Sequence, residues 1–280
     1  MTAGHPTPDP GTRIAAFFDV DNTIIRGASA FHLARGLKQR GFFTNRELAR
    51  FAWEQFKYNV LGESKEQMRS VRDEALSIIR GWSVAEMSAI GEEVYDEVLA
   101  LRVFPGTKAI IDEHRAQGHE VWLITATPIE IGRLIAQRLG VTGALGTVAQ
   151  HKGGYYTGAL EGSFMHGKAK AEAIANLAAE RDLNLDGCFA YGDSMNDVHM
   201  LGAVGRPCAI NPDRKLRVHA RRHHWPIKDF RGRNAQGRRS IVRASFTGSV
   251  WVVMLVLRGL KRAAFAPFRR GDAGATSEGD

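Results

Sequence analysis

The sequence predicts an α/β fold: a doubly wound, Rossmann-like parallel sheet with a small helical bundle inserted after its first strand. Three observations carry this expectation. Apolar runs of strand length at residues 14–18, 120–124 and 187–191 each break off in a cluster of polar residues. From residue 103 onward these runs alternate with helical patterns, as they do where parallel strands are joined by crossover helices. Between residues 28 and 102, by contrast, only helical periodicity is found.

The bulk properties narrow the class further. At 280 residues and 44% hydrophobic content the chain can bury a sizeable core. It has no apolar stretch of the ~20 residues that a conventional transmembrane helix needs. Residues 1–12 are polar and rich in Pro and Gly, without the apolar run of a secretory signal, and read as a disordered leader. Cys188 and Cys208 each lie in a strand-like run and read as buried free thiols of a reducing compartment, with a disulfide between neighbouring strands as the alternative. A cytoplasmic protein is expected. The net charge of +8 is unevenly placed: residues 231–280 hold ten Arg/Lys against three Asp/Glu, whereas 1–230 hold 28 against 27. The folded body therefore gives no sign of a nucleic-acid surface.

Taken in order, 14–18 is the first buried strand, ending in Asp19-Val20-Asp21-Asn22-Thr23. The helical block follows. Phe31, Leu33 and Leu37 begin a first segment, and Thr44/Glu47, Ser64/Gln67 and Ser83/Glu86 have capping-box spacing ahead of three more. The last of these carries Met87, Ile90, Val94, Val98 and Leu101 as its apolar stripe, and Trp53 and Trp82 are placed on helical faces. The core is thus expected at 13–27 and 103–230, with a helical cap at 28–102. Phe104-Pro105-Gly106 marks the return to the body. A helix at 107–117 leads to the second strand, which ends in Thr125-Ala126-Thr127-Pro128. After a helix striped by Ile131, Leu134, Ile135 and Leu139 comes a hairpin within 144–166, turning at Gly153-Gly154. A helix at 168–180 leads to the third strand, ending in Gly192-Asp193-Ser194-Met195-Asn196-Asp197, and 207–210 is a fourth short strand.

In open α/β sheets, ligands bind beyond the carboxyl ends of the strands. Parallel neighbours would bring Asp19/Asp21, Thr125/Thr127 and Asp193/Asp197 to one edge. Four acids in one place repel unless a cation intervenes, and a hard divalent ion with oxygen ligands, Mg²⁺ foremost, is the expected resident. Such a site suits phosphoryl transfer, where positioning and charge neutralisation carry most of the catalysis. A lysine to hold phosphoryl oxygens is also expected, and Lys168 and Lys170 at a helix start are the candidates.

These stretches resemble the phosphatases of the haloacid dehalogenase superfamily, in the subfamily related to phosphoserine phosphatase. "DVDNT" is similar to that family's first motif, Thr125 to its second, a lysine at the start of the next-but-one helix to its third, and "GDSMND" to its fourth. The resemblance spans roughly 13–230, with the helical insertion as the family's cap. It implies Asp19 as nucleophile and Asp21 as general acid/base, with Lys170 the preferred catalytic lysine and Lys168 the fallback. It further implies that Thr125, Ala126 and Asn196 contact substrate. Mg²⁺ would be held by Asp19, the Asp21 backbone carbonyl and Asp193, with Asp197 acting directly or through water. Dehalogenases of the superfamily lack an acid at the position of Asp21, so its presence favours phosphoryl chemistry.

One departure bears on the substrate, which is expected to be a small phosphorylated molecule. Phosphoserine phosphatases carry a Glu nine residues after the nucleophile to meet the substrate ammonium, and here that residue is Ala28. A generic phosphomonoester is therefore preferred over phosphoserine. Arg69 and Arg72 are candidates for a cap arginine. The tail adds a different element. Residues 244–257 are uncharged and include Trp251, and Arg258, Lys261, Arg262, Arg269 and Arg270 follow. This is the composition of an interfacial anchor, placing 244–270 at the inner face of a membrane, with packing on the protein or in a dimer as the alternative. A membrane-tethered binding protein that keeps the fold with little activity is the second function class. His151, His166 and His199 lack partners at ligand spacing, the pair His223-His224 reads as solvated at a basic helix end rather than as a metal site, and the sequence does not specify an oligomeric state.

Overall fold

The computed structural model describes residues 13–29, 32, 33, 76 and 79–231. The leader at 1–12, most of the expected cap helices with Trp53, Arg69 and Arg72, and the tail from 232 lie outside the described residues.

The core is a seven-stranded sheet in the order β4-β3-β2-β1-β5-β6-β7. Its strands are β1 (Ala15–Asp19), β2 (Glu120–Pro128), β3 (Gly143–Lys152), β4 (Tyr155–Glu161), β5 (Phe189–Gly192), β6 (Arg206–Ile210) and β7 (Ile227–Lys228). All neighbours run parallel except the β3–β4 hairpin at one edge. The described helices are α1 (Val84–Val94), α2 (Pro105–Ala116), α3 (Ile129–Leu139), α4 (Lys168–Arg181), α5 (Val198–Leu201) and α6 (Arg214–Arg222). β7 is too short to stand out in the sequence. It forms because the chain returns along β6, pairing Ala209 with Ile227.

Alternation along the central strands builds two cores. Ala16 and Phe18 of β1, with Val121 and Leu123 of β2, face a cluster holding Ile110 and Ile111 of α2 and Ile131 and Ile135 of α3. Ala15, Phe17, Trp122 and Ile124 face the opposite cluster, with Ile174 and Leu177 of α4 and Leu216 of α6. Helices on both faces make the sheet doubly wound, as the sequence predicts. Cys188 and Cys208 are buried free thiols, one in each core.

The chain leaves and re-enters the core through two paired passages. Ile25 bridges Val103, Arg26 N donates to Arg102 O, and Phe104 N donates to Ile24 O. Ser83 caps α1 as expected, its side chain accepting from Glu86 N. Gly91 of α1 faces Ile131 and Leu134 of α3. The expected stripe fails at the end of this helix. A π-helical turn at Tyr95–Leu99 adds a residue to the turn, so Leu99 is buried while Leu101 is 85% exposed. Trp82 is not on a helical face either: Gly81 has φ +82°, and the extended residues that follow pair with β4 through Ser83 and Tyr155.

A chain of polar rings runs from the half-buried His119 through the buried His114 to Tyr191. His114 Nδ1 lies 2.9 Å from His119 Nδ1, and its Nε2 lies 2.8 Å from the Tyr191 hydroxyl. Burial, with the nearby His119 and Lys228, pulls the His114 imidazole down to about 4 from an ordinary 6.5. Below pH 6.5 the unfolded chain therefore binds a proton that the folded chain refuses. Stability should fall by up to about 3 kcal/mol as pH drops from 6.5 towards 4. Urea unfolding at successive pH values should show His114→Gln flattening this part of the profile. Parallel profiles for the two proteins would refute the assignment.

Candidate active site

The register explains why three strand ends meet. Asp19 pairs with Ile124, so Thr125 begins where β1 ends. Phe18 pairs with Tyr191, so Asp193 lies two residues past the same level. The β2–β3 ladder slips between Ile124 and Pro128, freeing the Thr125–Thr127 backbone from regular pairing.

Lys170, on the first turn of α4, is almost wholly buried, and its Nζ lies 2.6 Å from both Asp19 Oδ1 and Asp197 Oδ1. Lys168 is exposed. The lysine that meets the acids is therefore Lys170. Burial by itself would lower its ammonium, but Asp19 and Asp197 outweigh that and hold it protonated well above the usual lysine range. Asp197 is fully engaged. Its Oδ2 accepts from the backbone amides of Asp193 and Ser194 and from Ser194 Oγ, closing a capping box over the Met195–Asp197 turn. Asn196 sits half-buried in that turn.

Oxygens of Asp19, Asp193 and Asp197 lie within 4.8 Å of one another. Burial, opposed by Lys170 and reinforced by Asp197 and Asp21, pushes the Asp19 carboxyl up to about 7. Burial, with Asp19 and Asp197, raises Asp193 well above the usual carboxylate range. Lys170 is the one ammonium within 4.0 Å of Asp19 and Asp197 among the described residues, and burial raises the proton affinity of Asp19, Asp21 and Asp193. An oxygen-only donor set with surplus negative charge fits a hard divalent ion.

Asp21 is half-buried, its Oδ1 accepting from Ser29 N at 2.8 Å, and burial raises its carboxyl as well. The Thr125 hydroxyl is buried 2.8 Å from the Thr127 hydroxyl, a partner that orients it. Ala126 lies between them, its carbonyl accepting from Thr147 Oγ1. Thr147 Oγ1 in turn accepts from Met165 N, which joins the Thr125 loop to the segment leading into α4. Sequence reasoning paired Thr127 with Thr125 without assigning it this role, and gave no role to Thr147, whose solitary place in β3 carries no signal.

Gly192 is required by proximity. A Cβ there would come within 2.6 Å of Asp197 Cβ and 2.9 Å of its Oδ2. Gly192→Ala should displace Asp197 and with it Lys170, lowering turnover by about 10²-fold, the effect typical of misplacing a catalytic group by an ångström. The loss of stability should stay at about 1–3 kcal/mol. Steady-state kinetics with thermal unfolding check this, and unchanged turnover would contradict it.

Comparison with known proteins identifies the family. The sequence model of the haloacid dehalogenase-like hydrolases matches residues 16–202. The chain belongs to that family and is one of its phosphatases. It is similar to phosphoserine phosphatase SerB1 of Mycobacterium tuberculosis, with 50% identity over 78% of this chain and 71% of that protein. It also resembles the inhibition of morphological differentiation protein of Streptomyces azureus, 35% identical over 78% of this chain and 79% of that one. Among solved structures, a protein of unknown function from Bordetella pertussis superposes with a TM-score of 0.70 at 29% identity, covering 78% of this chain and 99% of that chain. A substrate-bound phosphoserine phosphatase shares the fold, with a TM-score of 0.57 at 17% identity over 81% of this chain and 96% of that one.

Proposed function

We propose that this phosphatase hydrolyses a small phosphomonoester through an aspartyl-phosphate on Asp19, with Mg²⁺ as its cofactor. The observation that carries the reading is the convergence of Asp19, Asp193 and Asp197 around the Lys170 ammonium. Asp19, Asp193 and the Asp21 backbone carbonyl would hold the ion, with Asp197 supporting them through the amides it binds. When bound, Mg²⁺ neutralises charge on the phosphoryl oxygens and on the acids themselves.

The chain's own groups account for the remaining chemistry. An Asp19 carboxylate oxygen attacks phosphorus and the bond from phosphorus to the leaving oxygen breaks. Asp21, whose carboxyl burial raises above the usual carboxylate range, gives its proton to the departing alcohol. It then takes a proton from water, whose oxygen attacks phosphorus, releasing inorganic phosphate and restoring Asp19. Lys170, the Thr125 hydroxyl, the Ala126 segment and Asn196 hold the phosphoryl oxygens and the substrate.

Phosphoserine is the second reading of the substrate, favoured by the name of the 50% identical relative. Against it stands Ala28, an exposed residue with no charge for an ammonium group. Initial rates on a panel of phosphomonoesters including phosphoserine, with Mg²⁺ and with EDTA, test both. Metal-dependent turnover is expected. A rate on phosphoserine far above the rest would select the second reading, and no turnover across the panel would select a binding protein.

We place the protein in the cytoplasm, with residues 244–270 contacting the inner face of the membrane. No helix among the described residues is long and apolar enough to cross a membrane. The exposed Arg214, Lys215, Arg221 and Arg222 of α6 precede the tail and favour an anionic lipid surface over nucleic acid, because an apolar segment with Trp251 follows them. Fractionation of the protein with and without 244–280 tests this, and a full-length protein found only in the soluble fraction would refute it.

A further inference from the structure

We propose that the turn Asn211-Pro212-Asp213 after β6 sets the spacing of the two acid-bearing loops, and that Asn211 is its positioning residue. The proposal rests on the phosphatase reading above for its kinetic consequence, but its geometry stands apart from the four motifs. Asn211 is fully buried and holds φ at +48°, a left-handed conformation that Asn tolerates better than other side chains. Its Nδ2 donates to the Asn22 carbonyl at 2.9 Å and its Oδ1 accepts from Phe230 N at 2.7 Å. Its own amide donates to Lys228 O at 2.8 Å.

Asn22 follows Asp21 directly and is itself left-handed, with φ at +59°. Its side chain accepts from Gly27 N, and its amide donates to Ile25 O at 2.6 Å. The Asn211 side-chain amide thus grips a carbonyl of the turn that follows Asp19 and Asp21. Two residues on, Asp213 grips the other loop. Its amide donates to the Asp193 carbonyl at 2.7 Å, and its Oδ2 lies 3.4 Å from Met195 N. One short turn therefore touches the backbone beside Asp21 and the backbone of Asp193.

The turn is in turn held from behind by the last described residues. Phe230 presents its amide to Asn211, and its ring fills the place that a Gly106 side chain would take, 2.2 Å from where that Cβ would lie. Arg231 Nη2 donates to Pro212 O at 2.9 Å. An oxygen and an N–H on one short side chain in a left-handed backbone meet all of these demands, and Asp at 211 lacks the donor. Nothing in the turn touches the reacting atoms, so Asn211 acts through the loops it spaces.

The test uses the full chain. Asn211→Asp keeps an acceptor for Phe230 N, loses the Nδ2 donor to the Asn22 carbonyl and adds a carboxyl at a buried position. It is expected to weaken Mg²⁺ binding, read by titration calorimetry on the resting protein, by about 10-fold or more, as loss of outer partners does at other metal sites. Turnover of p-nitrophenyl phosphate should fall by about 10²-fold while KM moves less than about 3-fold. Hydrogen exchange should quicken in the peptide covering 21–29. A lower melting temperature with wild-type Mg²⁺ affinity, turnover and exchange at 21–29 would reduce Asn211 to a structural residue and overturn the proposal. Should Asn211→Asp not fold, the wild type decides, because coupling is reciprocal. Mg²⁺ should then slow exchange at 209–213 and 227–231 as well as at the acidic loops, and protection confined to 19–29 and 193–197 would overturn it. Failure of wild-type hydrolysis across the panel would defeat the phosphatase reading, leaving the exchange and calorimetric readouts intact.

Discussion

Asp19→Asn should lower phosphomonoester turnover by roughly 10⁴-fold or more, the loss expected when a nucleophile acting in concert with its partners is removed. The substitution should not unfold the protein. The Asp19 carboxyl is held up to about 7, chiefly by burial, so its raised pKa supports folding at acidic pH and loses that support as pH rises through 7. A neutral amide removes this penalty at neutral pH and still offers Lys170 an oxygen. Without metal the variant should therefore be at least as stable as the wild type at pH 8. Added Mg²⁺ should raise the melting temperature of the wild type more than that of the variant, because one of its expected oxygen donors has gone. Retention of more than a few per cent of wild-type turnover would exclude Asp19 as nucleophile.

Lys170→Met should produce the largest combined loss of activity and stability. Lys170 is the one cation within 4.0 Å of Asp19 and Asp197 among the described residues, and all three side chains are buried. Breaking such a pair leaves uncompensated charge and costs about 3–5 kcal/mol. The deficit should shrink on lowering the pH, as the freed acids protonate, and on adding Mg²⁺, which replaces part of the lost charge. Turnover should fall by about 10²–10³-fold with the loss of a cation at the phosphoryl oxygens. Lys168→Met is the control: an exposed side chain should change stability by no more than about 0.5 kcal/mol. Urea midpoints at several pH values and steady-state rates on both variants decide the matter. A larger loss for Lys168→Met would move the role to that residue.

The two lysines show where reading the sequence stops. They stand two residues apart at the start of one helix, about 200° apart around its axis. Either can be aligned with a lysine motif, and the direction in which α4 faces the sheet decides between them. Gly192 is similar: the motif contains it, but the need for hydrogen in place of a side chain arises from Asp197 folding back over it. The π-helical turn after α1 was invisible because apolar residues occupy both the predicted and the observed phase, Val98 and Leu101 in one, Tyr95 and Leu99 in the other.

The sequence by itself determined the strands other than β7, the doubly wound arrangement and the acids at the strand ends. Those features depend on residues near in the chain: an apolar run that must be buried, and a polar break that must lie where the strand stops. Tertiary structure decided everything that joins distant segments. Lys170 meets Asp19 across 151 positions of the chain, and Asn211 meets Asn22 across 189. Such contacts depend on strand register and helix rotation, which are set by the packing of both cores at once. No local pattern of residues carries that information.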